Sequence, residues 1–117
     1  MTIERFHTGA RMSQMVVHQN TIYLAGQVAQ NAAGESVANQ TKAILDQIDA
    51  LLAEAGTDKT RILSATIWIC SMDDFAEMNS VWDAWAPQGH TPCRACVESP
   101  RLASSDFTVE IGIIAAK

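Results

Sequence analysis

Arg61-Ile62-Leu63-Ser64-Ala65-Thr66-Ile67-Trp68-Ile69-Cys70 is the stretch on which the fold turns. It is rich in Ile, Thr and Trp, residues that suit a pleated, half-buried surface, so it reads as a strand. Successive side chains on a strand point to opposite faces. One alternating set is Leu63, Ala65, Ile67 and Ile69; the other is Ile62, Ser64, Thr66, Trp68 and Cys70. Both sets contain large apolar groups, whereas an antiparallel sheet open to water on one side shows cleaner alternation. Both faces of this strand therefore need a cover.

Upstream, Val37 to Ala55 carries a helical period: Ile44, Leu45, Ile48, Leu51, Leu52 and Ala55 recur at three- and four-residue steps. Gly56 follows at once and suits a left-handed cap. Further upstream, Met15–Val17 and Thr21–Ala25 are β-rich runs separated by His18-Gln19-Asn20, which predicts a hairpin. Gly26 and Gly34 mark turns after it, and a short strand near residues 3–7 completes this end. Downstream, Ser71 with Asp74 three residues on resembles a capping box. Phe75, Met78, Trp82 and Trp85 then share a helix face until Pro87 and Gly89 end it. Two strands close the chain, about Cys93–Glu98 and Phe107–Ala115.

The predicted order is β-β, α, β, α, β-β: an α+β fold with a mixed, mainly antiparallel sheet of five to six strands and two helices on one face. Two helices cover only that face. The last strand is two-sided as well, with Val109, Ile111 and Ile113 on one side and Ile114 on the other. The second face is therefore expected to be buried by further copies of the chain, giving a homo-oligomer.

The 117 residues fit one domain, 1–117, without linker or repeat. The net charge of −5 comes from 8 Lys and Arg scattered singly among 13 Asp and Glu. That argues against a nucleic-acid partner, which calls for a basic stripe that displaces counterions. No apolar run approaches the roughly 20 residues that span a bilayer, so no membrane association is expected. Three cysteines, an odd number, and no signal-peptide pattern point to a reducing, cytoplasmic setting.

Cys93-Arg94-Ala95-Cys96 contains a Cys-x-x-Cys spacing. On a strand, residues three apart face opposite ways, so these thiols do not share a metal; no metal site is expected. Alternation instead places Arg94, Cys96 and Glu98 together, on the sheet face expected to be buried by oligomerisation. A guanidinium there can grip a carboxylate bidentately. An ion pair of Arg94 with Glu98 or Glu110 accounts for the same residues equally well. Glu110 stands out in the apolar strand Val109–Ala115, either as a general base or water-positioning group or as a partner for an Arg. Asn79, next to core Met78, reads as a polar group bonded to a neighbouring loop. His7, His18 and His90 have no nucleophile motif near them, and the glycines form no phosphate-binding pattern.

Thr91-Pro92-Cys93-Arg94-Ala95-Cys96-Val97-Glu98, with Leu102 and Val109-Glu110-Ile111, resembles the C-terminal signature of the RidA/YjgF family, also called endoribonuclease L-PSP. Met12-Ser13-Gln14, Leu24-Ala25-Gly26-Gln27-Val28 and Phe75-Ala76-Glu77-Met78-Asn79 match three further family segments in order. Within the family the chain is similar to the short, divergent YoaB-like members. The resemblance implies a chorismate-mutase-like fold and a homotrimer with pockets between neighbouring subunits. It implies hydrolysis of reactive 2-imino and 2-enamino acids to 2-keto acids and ammonia, with no cofactor. It assigns the substrate carboxylate to Arg94, nitrogen orientation to the backbone at Cys96, and the attacking water to Glu110. Met12 and Gly26 fall in the family's pocket segments, and Glu98 and Asn79 are accessory candidates. Two residues depart from the pattern: Met12 stands for a Tyr, and Gly112 for a second Glu. Those changes leave open a non-catalytic protein that binds a small carboxylate metabolite such as a 2-keto acid. Ribonuclease activity, attributed to some relatives, fits the acidic charge least.

Overall fold

The computed structural model describes residues 2–117. The strands are β1 (Ile3–Thr8), β2 (Ser13–His18), β3 (Thr21–Leu24), β4 (Gln27–Val28), β5 (Ile62–Ile69), β6 (Cys93–Glu98) and β7 (Val109–Ala116). The helices are α1 (Val37–Glu54) and α2 (Phe75–Trp85). One sheet runs in the order β1-β2-β3-β7-β5-β6, with β4 also paired to β7. Only β5 and β6 run parallel; all other pairs are antiparallel. This is the α+β architecture anticipated above, with β4 as an added short strand.

Local chemistry explains the elements. The β2–β3 turn has Gln19 at φ 56°, the positive angle that primed hairpin turns demand. α1 opens on Ser36, whose Oγ accepts from the Asn39 N–H, and closes before Gly56 at φ 84°. Glu77 on α2 accepts from the Ala38 N–H at 2.9 Å and so ties the two helices together. Ser71 caps a 3-10 turn, Met72–Asp74, ahead of α2 rather than α2 itself. The Met72 N–H is taken by Glu98.

The core lies between the helices and one face of the sheet. Ile44, Leu45, Ile48 and Leu52 of α1 and Met78 of α2 are fully buried there against Met15, Ile22, Ile67, Ile69 and Ile111. Trp85 joins the helices by donating to Asp49 at 3.0 Å. A register shift between Ile62 and Ser64 places two residues of β5 where its partner has one. That bulge turns Ile62 inward with Ala65, Ile67 and Ile69, and leaves Leu63 half exposed. The simple alternation read from Arg61–Cys70 is corrected at this point. Trp68 sits on the face away from the helices.

Among the described residues no helix covers that second face. Ile3, Tyr23, Val97 and Ile114 are exposed on it. Among the described residues no helix is long and apolar enough to cross a membrane.

Candidate functional site

Two clusters hold the residues singled out from the sequence, and they lie on opposite faces of the sheet. The first gathers around Arg94. Its β-partner is Ala65, a core residue, so Arg94 emerges on the helix side. There α2 presents Phe75, Asn79 and Trp82 at steps of four and three, hence on one face. Arg94 Nη1 donates to Asn79 Oδ1 at 2.8 Å. The guanidinium lies 5.3 Å from the Trp82 ring centre and 5.9 Å from that of Phe75. Cation–π attraction and one hydrogen bond thus orient the charged group while its other donors stay free. Asn79 therefore bonds to Arg94, not to a neighbouring loop.

Cys96 and Glu98 follow on the same side, opposite Ile67 and Ile69. Burial pushes the Cys96 thiol pKa up, and the charge of Arg94 pulls it the other way. Glu98 is engaged with the Met72 N–H. Among the described residues no carboxylate forms an ion pair with Arg94. The expected pairing with Glu98 or Glu110 is not what the structure shows. Nor do Arg94, Cys96 and Glu98 belong to the uncovered face, as anticipated: their strand partners all point to the core.

The second cluster surrounds Glu110, whose partner is Trp68 on the uncovered face. β3 and β4 are two pieces of one run along β7. Tyr23 pairs with Ile114 and Gln27 with Ile111, so one extra residue is accommodated at Ala25-Gly26. The break opens a cavity of about 640 Å³ lined by Met12, Gln14, Gly26, Gln47, Leu51 and Glu110, among others. Burial raises the Glu110 carboxyl above its usual pKa. Gly112 shares its face, and a Cβ there would lie 3.3 Å from the Trp68 ring. Trp68 thus fills the space beside β7 that a side chain at position 112 would need.

The constraint at Gly26 is close approach rather than its backbone angle. A Cβ at this position would overlap the Glu110 carboxylate, reaching its Cδ at 2.9 Å. The struck group is the flexible end of a side chain, so it can move aside. Gly26→Ala is expected to leave the melting temperature within a few degrees of wild type while displacing the carboxylate, a change a crystal structure of the variant would show. A variant with Glu110 unmoved would refute this account of the glycine.

Within one chain these clusters cannot meet around a small molecule. β6 and β7 flank β5 and so lie about 10 Å apart. Arg94 and Glu110 are also offset by three residues along β5, at Ala65 and Trp68. Sequence reasoning missed the aromatic bed under Arg94 and the side-chain chain Gln14–Gln27–Gln47 beside Glu110. The helical spacing of Phe75 and Trp82 was visible, but read only as core packing.

Fold and site together define an α+β protein that carries an oriented guanidinium on one sheet face and a partly buried carboxyl on the other, the carboxyl bordering a cavity that opens through the β3–β4 break to α1. The chain belongs to the RidA/YjgF family. The family model described as Endoribonuclease L-PSP matches residues 2–117. A RutC family protein of Haemophilus influenzae is 43% identical over 115 residues, covering 98% of each chain. The RutC family protein YoaB of Escherichia coli is 44% identical over 116 residues, covering 99% of each. The crystal structure of a YjgF family member from Neisseria meningitidis superposes with a TM-score of 0.95 at 50% identity, covering 100% of this chain and 96% of that one.

Proposed function

We propose that the chain hydrolyses reactive 2-imino and 2-enamino acids to 2-keto acids and ammonia, in pockets each shared by two subunits of a homotrimer. The observation that carries this reading is Arg94: a guanidinium oriented by Asn79, Phe75 and Trp82, yet with no carboxylate paired to it among the described residues. Such a group is prepared for a carboxylate brought by a ligand.

Arg94 of one subunit holds the substrate carboxylate, and Cys96 lies beside it to orient the nitrogen. The adjoining subunit supplies Met12, Gly26 and Glu110. The Glu110 carboxylate takes a proton from water as the water oxygen adds to the imine carbon, and passes that proton to the nitrogen to give a carbinolamine. It then takes the hydroxyl proton and delivers it to the amino group, so that the C–N bond breaks with loss of ammonia as the C=O bond forms. The carboxylate is regenerated, and the water oxygen stays as the keto oxygen. A carboxyl whose pKa is raised by burial is a stronger base than an ordinary one, which suits this task. The apolar uncovered face, with Ile3, Tyr23, Val97 and Ile114, supports the assembly that brings the two clusters together. The chain is read as one domain acting in the cytoplasm.

The test adds the protein to a pyridoxal-phosphate-dependent threonine dehydratase reaction and follows 2-ketobutyrate and ammonia. Faster release supports the proposal. Tight 2-ketobutyrate binding without acceleration supports the second reading, a non-catalytic carboxylate binder. That reading is favoured by one observation: Glu110 has no hydrogen-bonded partner among the described residues to help it hold a water. RNA cleavage is the weaker alternative, because the chain carries a net charge of −5 and no Lys, Arg or His lines the cavity.

The pH dependence of stability gives a separate check on Glu110. Its pKa is higher folded than unfolded, so between the two values the folded chain holds the extra proton. Stability is therefore lost as pH rises through that window, which starts near the ordinary glutamate value of about 4.3. Glu110→Gln is expected to melt higher than wild type at neutral pH and equally at pH about 4. An equal melting temperature at both pH values would remove desolvation as the cause.

A further inference from the structure

The cavity beside Glu110 contains a hydrogen-bond chain whose direction is forced. Gln27, 5% exposed, donates from Nε2 to the Ala25 carbonyl and to Gln14 Oε1, both at 3.0 Å. Its Oε1 accepts from Gln47 Nε2 at 3.1 Å, and the same Nε2 donates to the Val28 carbonyl at 3.1 Å. A backbone carbonyl can only accept. Ala25 therefore fixes which way the Gln27 amide points, and Val28 fixes Gln47. With both N–H groups of Gln27 in use, Gln14 can meet it only through oxygen. The Gln14 NH2 is left as a free donor on the cavity wall.

The rest of the wall says what this donor faces. Met12, Val28, Ala50 and Leu51 are apolar, no basic residue is present, and Glu110 is the sole ionisable group among the described lining residues. An acidic ligand chain would meet a carboxylate there and no cation. In one chain the cavity measures about 640 Å³, and in the proposed trimer the adjoining subunit occupies part of it.

We infer that Gln14 is a specificity-determining residue that selects 2-imino acids, and their keto-acid products, bearing a neutral side chain with a hydrogen-bond acceptor. This deepens the proposed function and rests on it, because the ligand's carboxylate must be held by Arg94 for its side chain to reach Gln14.

The experiment compares two isosteric keto acids by calorimetry: 2-oxoheptanoate, and 5-methoxy-2-oxopentanoate, in which one CH2 becomes an ether oxygen. Wild type is expected to bind the ether about three- to tenfold more tightly, the worth of one net hydrogen bond. Gln14→Glu keeps the oxygen that Gln27 needs and replaces the free NH2 by a second oxygen. It is expected to lose or reverse that preference. Comparing two ligands on each protein cancels any effect of the new charge on Glu110, and the wild-type comparison stands even if the variant folds poorly. Equal affinity of wild type for both ligands, or the same preference in Gln14→Glu, overturns the inference and leaves the carboxylate site intact. Failure of wild type to bind either keto acid overturns both.

Discussion

Arg94→Ala is expected to lower kcat/KM for the proposed imine hydrolysis by about thirtyfold to a few thousandfold, because truncating one partner of a hydrogen-bonded charge pair typically costs about 2–5 kcal/mol. The loss is one of ligand binding and orientation rather than of folding. Arg94 lies on the exposed edge strand β6, and its contacts are one hydrogen bond to Asn79 and the faces of Phe75 and Trp82. The variant is therefore expected to keep its melting temperature to within a few degrees. Arg94→Lys recovers only part of the activity, since an ammonium is a point charge without the planar fork. Steady-state kinetics of both variants, with thermal melts alongside, make the check. Wild-type rates for Arg94→Ala would remove the guanidinium from the reaction.

Mixing two inactive variants is expected to restore activity. This is the second large effect, and it follows from Arg94 and Glu110 lying on opposite faces of one sheet. If every pocket joins Arg94 of one subunit to Glu110 of the next, Arg94→Ala alone and Glu110→Gln alone are both inactive. Co-refolded at equal ratio they form mixed trimers in which about a quarter of the pockets receive an intact Arg94 and an intact Glu110. Activity should return to roughly that fraction of wild type. A site contained within one chain gives no recovery, because each chain then carries its own lesion. Mixing the two proteins without refolding provides the control.

Much of this fold was legible in the chain. The period of Val37–Ala55, the Gly56 stop and the alternation in Val109–Ala115 each report a local constraint, and local constraints survive without knowledge of the tertiary partner. Two details were not. The bulge at Ile62–Ser64 has no marker in Arg61–Cys70, because a bulge is set by how β7 pairs with β5 and not by β5 alone. β4 escaped notice because a two-residue strand, Gln27–Val28, has no period to detect.

The same division holds at the site. Alternation correctly grouped Arg94 with Cys96 and Glu98, but could not say which sheet face they occupy. That depends on the pairing of β6 with β5: Ala65 opposite Arg94 decides it. Glu98 as a partner for Arg94 was plausible from spacing and was displaced by the Met72 N–H, a contact between residues far apart in the chain.

By itself the sequence determined the order of the elements apart from β4, the core faces of both helices, the family and the residues that stand out as chemistry, Arg94 and Glu110 above all. The tertiary structure alone decided that these two are separated by the sheet, that Asn79, Phe75 and Trp82 orient the first, and that the Gln14 amide oxygen is the end tied to Gln27. The reason is physical. Periodicity records what a residue does within its own element, whereas the side a strand presents and the direction of a hydrogen bond are set by the strand or carbonyl that lies against it.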